Sequence, residues 1–334
     1  MSVKIIAEAG VNHNGSIKKA LRLIKKAKLS GADYIKFQIF NTRNVVSKSA
    51  RKSKYQKTSS EDKTSQFDMI KKLELSYDAF YKIKKQCLKY RIKFLCSAFD
   101  IDSLIFLKKL NEKVVKIPSG EITNYPLLKM IGKLKFKAIL STGMSSLKEI
   151  NSAIKILKSN GLKKKNIVLM HCNTAYPTPM RDVNLLSIPK LKKKFKLDVG
   201  LSDHSQGIEI PIAAIAVGAC IVEKHFTLDK NLEGPDHKSS LNPSEFSKMV
   251  KSIRNIEQAL TTKKGSITIS EKENLSVVRK SIVTKKKIKA GEVFSEKNLT
   301  TKRPGTGLSP MKWNEVMGKK AKKDYLEEEI IYKI

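Results

Sequence analysis

Several residue types are scarce in this 334-residue chain, and each scarcity argues against a class of protein. Only four cysteines are present, Cys87, Cys96, Cys172 and Cys220, and no two form a CxxC pair. We therefore expect reduced thiols rather than a disulfide framework. No apolar run approaches the roughly 20 residues of a membrane span. The first residues, MSVKIIAEAG, lack a basic segment followed by an apolar one. We expect no signal peptide, no membrane contact and a cytoplasmic location.

Acidic residues and arginine are also scarce, although the chain is strongly basic. It contains 31 Asp and Glu against 67 Lys and Arg, a net charge of +36, and only eight of the basic residues are arginine. Such a charge is common in nucleic-acid-binding proteins. Here the lysines are spread along helical stretches without interleaved aromatic residues, which is typical of a solvated surface. We therefore expect no nucleic-acid partner, and we expect the positive surface to attract small anionic substrates.

Short β-branched apolar runs alternate with longer amphipathic stretches through most of the chain. This alternation is typical of βα units that build a parallel sheet. Eight such units over about 260 residues predict a (β/α)8 barrel. An open doubly wound sheet is the second possibility, but such sheets usually carry GxGxxG after the first strand, and none is present. The predicted strands are 4–9, 34–38, 94–97, 114–117, 138–141, 167–171, 198–201 and 221–224, and a last helix is predicted at 243–260.

Two segments interrupt the alternation. Residues 41–73 form a long polar insertion after the second strand, of a length typical of a lid or a disordered loop. A polar linker is predicted at 263–276, which divides a barrel domain at 1–262 from residues 277–334. That last part contains short strand-like runs and Gly/Pro turns, which predict a small, mostly β domain.

Polar side chains follow the predicted strands, at the end where active sites of (β/α)8 barrels lie. His204 follows VGLSD and His225 follows CIVEK, and two neutral imidazoles on one rim can hold a divalent metal. The alternative is that these histidines only form hydrogen bonds within the rim. Together with lysines and hydroxyls they suit an anionic, phosphorylated ligand beside a metal. The side chains at the strand ends are Glu8, Lys36, Gln38, Ser97, Lys116, Ser119, Glu121, Ser141, Thr142, His171, Asn173, Thr174, Tyr176, His204 and His225.

Eight motifs occur in one order along the chain: AEAGVNHNG, KFQ, KIPSGE, LSTGM, HCNTAYPTP, GLSDHS, VEKHFT and GPDHK. This set resembles that of the sialic acid (N-acetylneuraminate) synthases and their bacterial relatives. The segment SIVTKKKIKAGEVFSEKNLTTKRPGTG resembles their C-terminal antifreeze-like, or SAF, domain. The resemblance covers essentially the whole chain and implies a (β/α)8 barrel followed by a SAF domain.

The resemblance implies a transferase that joins phosphoenolpyruvate to the open-chain aldehyde of an N-acylated hexosamine and releases phosphate by C–O cleavage. The first expectation for the sugar is N-acetylmannosamine, as in an N-acetylneuraminate synthase. The alternative is 2,4-diacetamido-2,4,6-trideoxymannose, as in an N,N'-diacetyllegionaminate synthase, and a pseudaminate synthase is the third possibility. A Mn²⁺ or Mg²⁺ ion and a domain-swapped homodimer are also implied.

The resemblance assigns roles to individual residues through the motifs. His204 and His225 match the metal ligands, and Glu8 and Asp236 complete the catalytic set, with Glu8 as the acid or base. Arg303, in RPG, is implied to reach the barrel of the partner subunit and to contact the N-acyl group of the sugar. The implied phosphoenolpyruvate site comprises Lys36, Ser97, Lys116, Ser119, Ser141, Thr174 and Ser202. The implied sugar site comprises Gln38, Glu121, Tyr176, Asp236 and Arg303.

Three positions, Asn14, Ser97 and Thr174, depart from the residues of some relatives, and they leave the sugar open. Two other functions also stay open. A synthase that acts on a phosphorylated aldose would need further basic residues for the second phosphate, and arginine is scarce in the barrel. A carbohydrate-binding protein with an inactive barrel is the other, and the intact set of acidic, lysine and histidine residues argues against it.

Overall fold

A computed structural model of the chain describes residues 2–51, 65–260 and 267–334. Two compact units are present, Met1–Thr261 and Thr262–Ile334. In the first, eight parallel strands close a barrel in chain order, which confirms the predicted (β/α)8 fold. Each predicted strand is found, with its ends within two residues of the prediction. The strands are β1 Lys4–Gly10, β2 Tyr34–Ile39, β3 Lys93–Ala98, β4 Val114–Ile117, β5 Lys137–Ser141, β6 Ile167–Cys172, β7 Asp198–Asp203 and β8 Ile221–His225.

Helices alternate with the strands and cover the outside of the barrel. Most begin at a side-chain cap: Ser16, Ser146 and Asn242 each accept a hydrogen bond from a backbone N–H of the first turn. The helices of the first unit are α1 Ile17–Leu29, α2 Thr42–Val45, α3 Gln66–Leu73, α4 Tyr77–Tyr90, α5 Ile101–Lys109, α6 Tyr125–Lys133, α7 Leu147–Ser159, α8 Ser187–Phe195, α9 Glu209–Ala216 and α10 Pro243–Ala259.

The inside of the barrel has an apolar lower layer. Strand residues alternate between the helix side and the barrel interior, and the inward-pointing Ile6, Leu95, Ile139, Met170 and Ile221 form one buried cluster. At Gly200, a Cβ would lie 2.6 Å from the sulfur of Met170, so this packing requires glycine. The next inward-pointing residues, towards the C-terminal ends of the strands, are polar. The apolar layer therefore supports a polar site directly above it.

A buried ion pair joins β7 to β8 on the side of the strands that faces away from the barrel interior. Lys224 Nζ lies 2.5 Å from Asp203 Oδ2 and 2.6 Å from the carbonyl oxygen of Ser205, and both charged side chains are at most 2% exposed. The other carboxylate oxygen accepts hydrogen bonds from the N–H and the hydroxyl of Ser205. Since Asp203 precedes His204 and Lys224 precedes His225, the pair fixes the strand ends that carry both histidines.

We predict that Lys224→Met lowers the free energy of unfolding by about 3–5 kcal/mol, because Asp203 would then be a buried charge without a counterion. The double variant Lys224→Met/Asp203→Asn should recover more than half of this loss, since the amide oxygen can still accept from Ser205. Urea unfolding of the three proteins measures both effects. A single variant within 1 kcal/mol of the unchanged protein would show that the pair does little for stability.

Both segments that interrupt the barrel pattern contain helices that were not predicted. The insertion at 41–73 carries α2 at its start and α3 at its end, and residues 52–64 lie outside the described residues. In the predicted linker, 263–276, the described part is largely helical: α11, Ile269–Val278, belongs to the second unit. Thr268 and Glu271 form a capping box at its start. This sequence pattern indicates a helix, whereas the polar composition of the segment indicated a linker.

The rest of the second unit is a small β domain, as predicted. Strands β9, Ser281–Thr284, and β10, Leu299–Lys302, pair antiparallel, and further single bridges extend the pairing. A separate apolar core includes Ile282, Phe294 and Tyr325. A short helix, α12 Trp313–Val316, follows β10. Within the ranges that the structure describes, none of the helices has the length and apolarity needed to cross a membrane.

Candidate active site

A cavity of about 200 Å³ opens at the C-terminal end of the barrel, and all eight strands contribute side chains to it. The structure brings together twelve of the residues that the sequence singled out, and it places all seven of the implied phosphoenolpyruvate residues around this cavity. The twelve are Glu8, Lys36, Gln38, Ser97, Lys116, Ser119, Ser141, Thr174, Tyr176, Ser202, His204 and His225.

The floor of the cavity is a buried network of two lysines and two carboxylates. Lys36 Nζ lies 3.1 Å from Glu8 and 3.2 Å from Glu223, and Lys116 Nζ lies 3.1 Å from the same oxygen of Glu223. All four side chains are at most 4% exposed. Lys36 also donates to the Ser97 hydroxyl. The positive charges of Lys36 and Lys116 are therefore neutralised by ion pairs with Glu8 and Glu223.

Burial and charge separate the protonation behaviour of these four groups. Burial raises the pKa of Glu8. Burial alone would also raise the pKa of Glu223, but the two lysines outweigh it and lower that pKa. Conversely, burial alone would lower the pKa of Lys36, and Glu223 and Glu8 raise it instead. Burial does lower the pKa of Lys116. Glu8 is thus the carboxyl group that holds a proton most readily, and Lys116 is the lysine that gives one up most readily.

His204 has a defined tautomer. Its Nδ1 lies 2.5 Å from the carbonyl oxygen of Asn173, which can only accept, so Nδ1 carries the hydrogen. Its Nε2 therefore accepts a hydrogen bond from the hydroxyl of Tyr176, with 3.1 Å between nitrogen and oxygen. Burial lowers the pKa of His204 to about 4, so the ring is neutral at pH 7.

His225 faces His204 across the cavity, with 5.4 Å between the ring centroids. Burial, and then the neighbouring His204, lower its pKa well below the usual value. Its Nδ1 is buried without a hydrogen-bond partner among the described residues and lies 3.9 Å from Asp236 Oδ2. Burial and the nearby Glu8 raise the pKa of Asp236 to about 7.

The two imidazoles fit a divalent metal ion. Both are neutral, as metal ligands must be, and one buried nitrogen, Nδ1 of His225, has no hydrogen-bond partner in the part of the chain that the structure describes. The described ranges contain no group of three or more His, Cys, Asp or Glu side chains placed to hold an ion. An ion held here would keep several positions open for water and substrate, which is the pattern of catalytic sites.

A second cavity, of about 160 Å³, adjoins the first and shares Gln38, Phe99, Tyr176 and His225 with it. Asp236 lines this second cavity. Tyr176 stands between the two, since its ring stacks on His204 and meets His225 edge-on.

Several of the other residues that the sequence analysis named line neither cavity. Glu121, implied in the sugar site, lines neither cavity and accepts a hydrogen bond from Asn124. Thr142 and His171 bond to backbone carbonyl groups. Arg303 belongs to the second unit, where its side chain is exposed.

Glu223 is a charged residue of the cavity that the sequence analysis did not predict, although it lies within the motif VEKHFT. It precedes His225 by two positions on β8, and the two-residue period of a strand turns both side chains into the barrel. That period was the available signal in VEKH. Glu223 also accepts a hydrogen bond from the Ser202 hydroxyl, so it contacts three of the side chains that line the first cavity: Lys36, Lys116 and Ser202.

Comparison with known proteins agrees with this architecture. The NeuB family profile matches residues 23–265, and the SAF domain profile matches residues 279–333. The chain is 51% identical to the N,N'-diacetyllegionaminic acid synthase of Campylobacter jejuni, over 98% of both chains. It is 41% identical to the enzyme of that name from Legionella pneumophila, over 95% of this chain and 90% of the relative.

A solved structure also matches. The N-acetylneuraminic acid (sialic acid) synthetase of Leptospira borgpetersenii superposes with a TM-score of 0.71 at 36% identity, over 82% of this chain and 90% of that one. The barrel with its polar cavity, the small β domain and these matches agree along the chain. The chain therefore belongs to the NeuB family and ends in a SAF domain.

Proposed function

We propose that the chain is a phosphoenolpyruvate-dependent nonulosonic acid synthase whose sugar substrate is 2,4-diacetamido-2,4,6-trideoxymannose, with N,N'-diacetyllegionaminic acid as product. The observation that carries the reaction type is the cavity above the barrel. It holds two buried lysines and several hydroxyls on one side and two neutral imidazoles on the other. The first set suits a small phosphorylated acid and the second an aldehyde beside a metal.

The choice of sugar rests on the relatives. Two proteins named as N,N'-diacetyllegionaminic acid synthases are 51% and 41% identical over almost the whole chain. The sialic acid synthetase of Leptospira borgpetersenii, which is named for the other product, is 36% identical. N-Acetylmannosamine, the first expectation from the sequence motifs, is therefore the second candidate.

In the proposed complex, Lys36 and Lys116 bind the phosphate and carboxylate of phosphoenolpyruvate. The hydroxyls of Ser97, Ser119, Ser141, Thr174 and Ser202 surround it. Ser141 supports this role, because its buried hydroxyl has no hydrogen-bond partner within the described residues. The charge-assisted hydrogen bonds from the two lysines to the substrate would be about twice as strong as neutral ones, and they would orient it in a dry site.

The reaction forms a bond between C3 of phosphoenolpyruvate and the aldehyde carbon of the sugar. The aldehyde oxygen takes up a proton, and C2 of phosphoenolpyruvate becomes cationic and binds water, which loses a proton. The new C2 hydroxyl then gives up its proton as the bond between C2 and the phosphate oxygen breaks. Phosphate leaves with a proton, and the keto acid remains. Glu8 is placed to hold and return a proton, since burial raises its pKa and its buried Oε2 lacks a partner among the described residues.

His204 and His225 would hold a Mn²⁺ or Mg²⁺ ion, with Asp236 beside His225. When bound, such an ion polarises the aldehyde oxygen as a Lewis acid. Gln38, Tyr176 and Asp236 line the adjoining cavity and would contact the sugar.

The domain-swapped homodimer, in which Arg303 contacts the N-acyl group, is also part of the proposal and rests on the family resemblance. Full activity from a monomer in sedimentation experiments would contradict it.

The experiment compares two sugars with phosphoenolpyruvate and Mn²⁺, following phosphate release and the mass of the keto acid. We expect kcat/KM to be about 10–100-fold higher for 2,4-diacetamido-2,4,6-trideoxymannose than for N-acetylmannosamine, the range that small apolar contacts provide. The reverse preference would make the chain an N-acetylneuraminate synthase. No turnover of either sugar would contradict the proposed reaction.

A further inference from the structure

The second cavity has two unlike sides. The side towards the first cavity carries Gln38, Tyr176, His225 and Asp236. The far side is apolar, and together with Phe99, which also borders the first cavity, we call it the apolar wall. It consists of Val11, Phe40, Val45, Met69, Ile70, Leu73 and Phe99.

The apolar wall is built largely by the insertion after β2. Val45 is on α2, whereas Met69, Ile70 and Leu73 are on α3. Leu73 lies four residues after Met69 and three after Ile70, so it neighbours both on the helix surface. From the strand side, Phe40 and Phe99 pack edge-on with 6.1 Å between centroids. These side chains thus converge from three separate parts of the chain.

The wall is fixed to the barrel. Glu74, directly after α3, accepts hydrogen bonds from the backbone N–H and the hydroxyl of Thr42 on α2, at 2.9 and 2.6 Å. A Cβ on Gly15, in the loop after β1, would lie 2.5 Å from the carbonyl oxygen of Lys72, so α3 is seated closely on that loop. The cavity therefore has a defined apolar boundary.

We propose that the apolar wall binds the C6 methyl end of a 6-deoxy amino sugar and discriminates against sugars with a hydroxyl at C6. The inference rests on the proposed function, because it needs the aldehyde end of the sugar at His225, with the chain of carbons pointing into the second cavity. All four polar side chains of this cavity lie on the side where the aldehyde end of the sugar would bind. A C6 hydroxyl against the wall would lose its hydrogen bonds to water, whereas a methyl group loses none.

The first test changes only the ligand. N-Acetylmannosamine and its 6-deoxy analogue differ at C6 alone, and both are assayed with the unchanged protein, phosphoenolpyruvate and Mn²⁺. We expect kcat/KM to be about tenfold higher for the 6-deoxy sugar. Equal values for the two sugars would overturn the role of the wall, and no question of misfolding arises.

The second test changes the wall. Met69→Gln/Ile70→Thr places polar groups on it at half-buried positions. We expect the preference for 2,4-diacetamido-2,4,6-trideoxymannose over N-acetylmannosamine to fall about tenfold or more, with the KM for phosphoenolpyruvate unchanged. Met180→Gln is the matched control, since this exposed methionine lines neither cavity. It should leave both sugar parameters unchanged.

The outcomes separate the two proposals. If the unchanged protein prefers the diacetamido sugar but the wall variant keeps that preference, the wall does not select the methyl group, although the proposed function stands. If the unchanged protein does not convert the diacetamido sugar, the proposed function fails in its choice of substrate. The 6-deoxy comparison then still decides whether the wall recognises a methyl group.

Discussion

Replacing His225 by alanine is expected to lower kcat about 1,000-fold or more while the barrel stays folded. One of the two neutral imidazoles proposed to hold the metal is lost, and Lewis-acid stabilisation of several kcal/mol corresponds to a rate factor of this size. The fold should tolerate the change because the ring is at the rim, above the apolar layer, and its Nδ1 makes no hydrogen bond within the described residues.

His204→Ala should have a similar effect, and the double variant should lose little more, because the two rings act as one unit. Mn²⁺ titration by calorimetry and kcat over a range of Mn²⁺ concentrations measure the two losses separately. His171→Gln is the control: that ring bonds to the carbonyl of Val183 and lines neither cavity. Retention of Mn²⁺ binding and of turnover in both alanine variants would refute the metal assignment.

The sequence predicted the barrel and its main cavity because both depend on short-range patterns. Each strand is a short apolar run between turn signals, and the side chain at its C-terminal end must lie on the same rim as those of the other seven strands. Lys36, Lys116, His204 and His225 are therefore brought together by topology alone. No long-range information was needed to anticipate the cavity that they line.

Glu223 shows where the same reasoning stopped short. A strand presents two inward-facing residues near its end, and on β8 these are His225, which was predicted in the site, and Glu223, which was not. The consequence is large, because Glu223 is the shared counterion of both lysines. Its inward direction was encoded in the two-residue period of β8. The period does not show that one of its oxygens contacts both lysines, because that depends on the distances between side chains of three strands.

The apolar wall could not be anticipated from composition. The insertion at 41–73 is rich in Ser, Lys, Thr and Gln, and its length and polarity were typical of a lid or a disordered loop. Met69, Ile70 and Leu73 form an apolar face only once α3 exists, and the cavity also needs Phe40 and Phe99 from two strand ends. Glu121 is the opposite case: its motif implied the sugar site, but the turn after β4 directs it towards Asn124.

Lys116→Ala is expected to raise the KM for phosphoenolpyruvate about 100-fold and to change the KM for the sugar only a few-fold. A charge-assisted hydrogen bond to a phosphate or carboxylate contributes about 1.5–3 kcal/mol, which is a factor of about 10 to 100 in affinity, and the loss of a buried countercharge adds to it. The variant should fold, because Glu223 keeps Lys36 as a counterion at 3.2 Å. Lys113→Ala, three residues earlier at an exposed position, is the matched control.

The KM for phosphoenolpyruvate is expected to depend on pH. Because burial lowers the pKa of Lys116, the free protein loses this positive charge at a lower pH than an ordinary lysine would. The charged form exists below that pKa, so the KM for phosphoenolpyruvate should rise as the pH increases through it, and kcat/KM should fall. Lys116→Ala should lose this alkaline rise, because the titrating group is gone. A variant that keeps the rise would show that Lys116 is not the group that titrates. An increase confined to the KM for the sugar would mean that the two substrates bind the other way round in the two cavities.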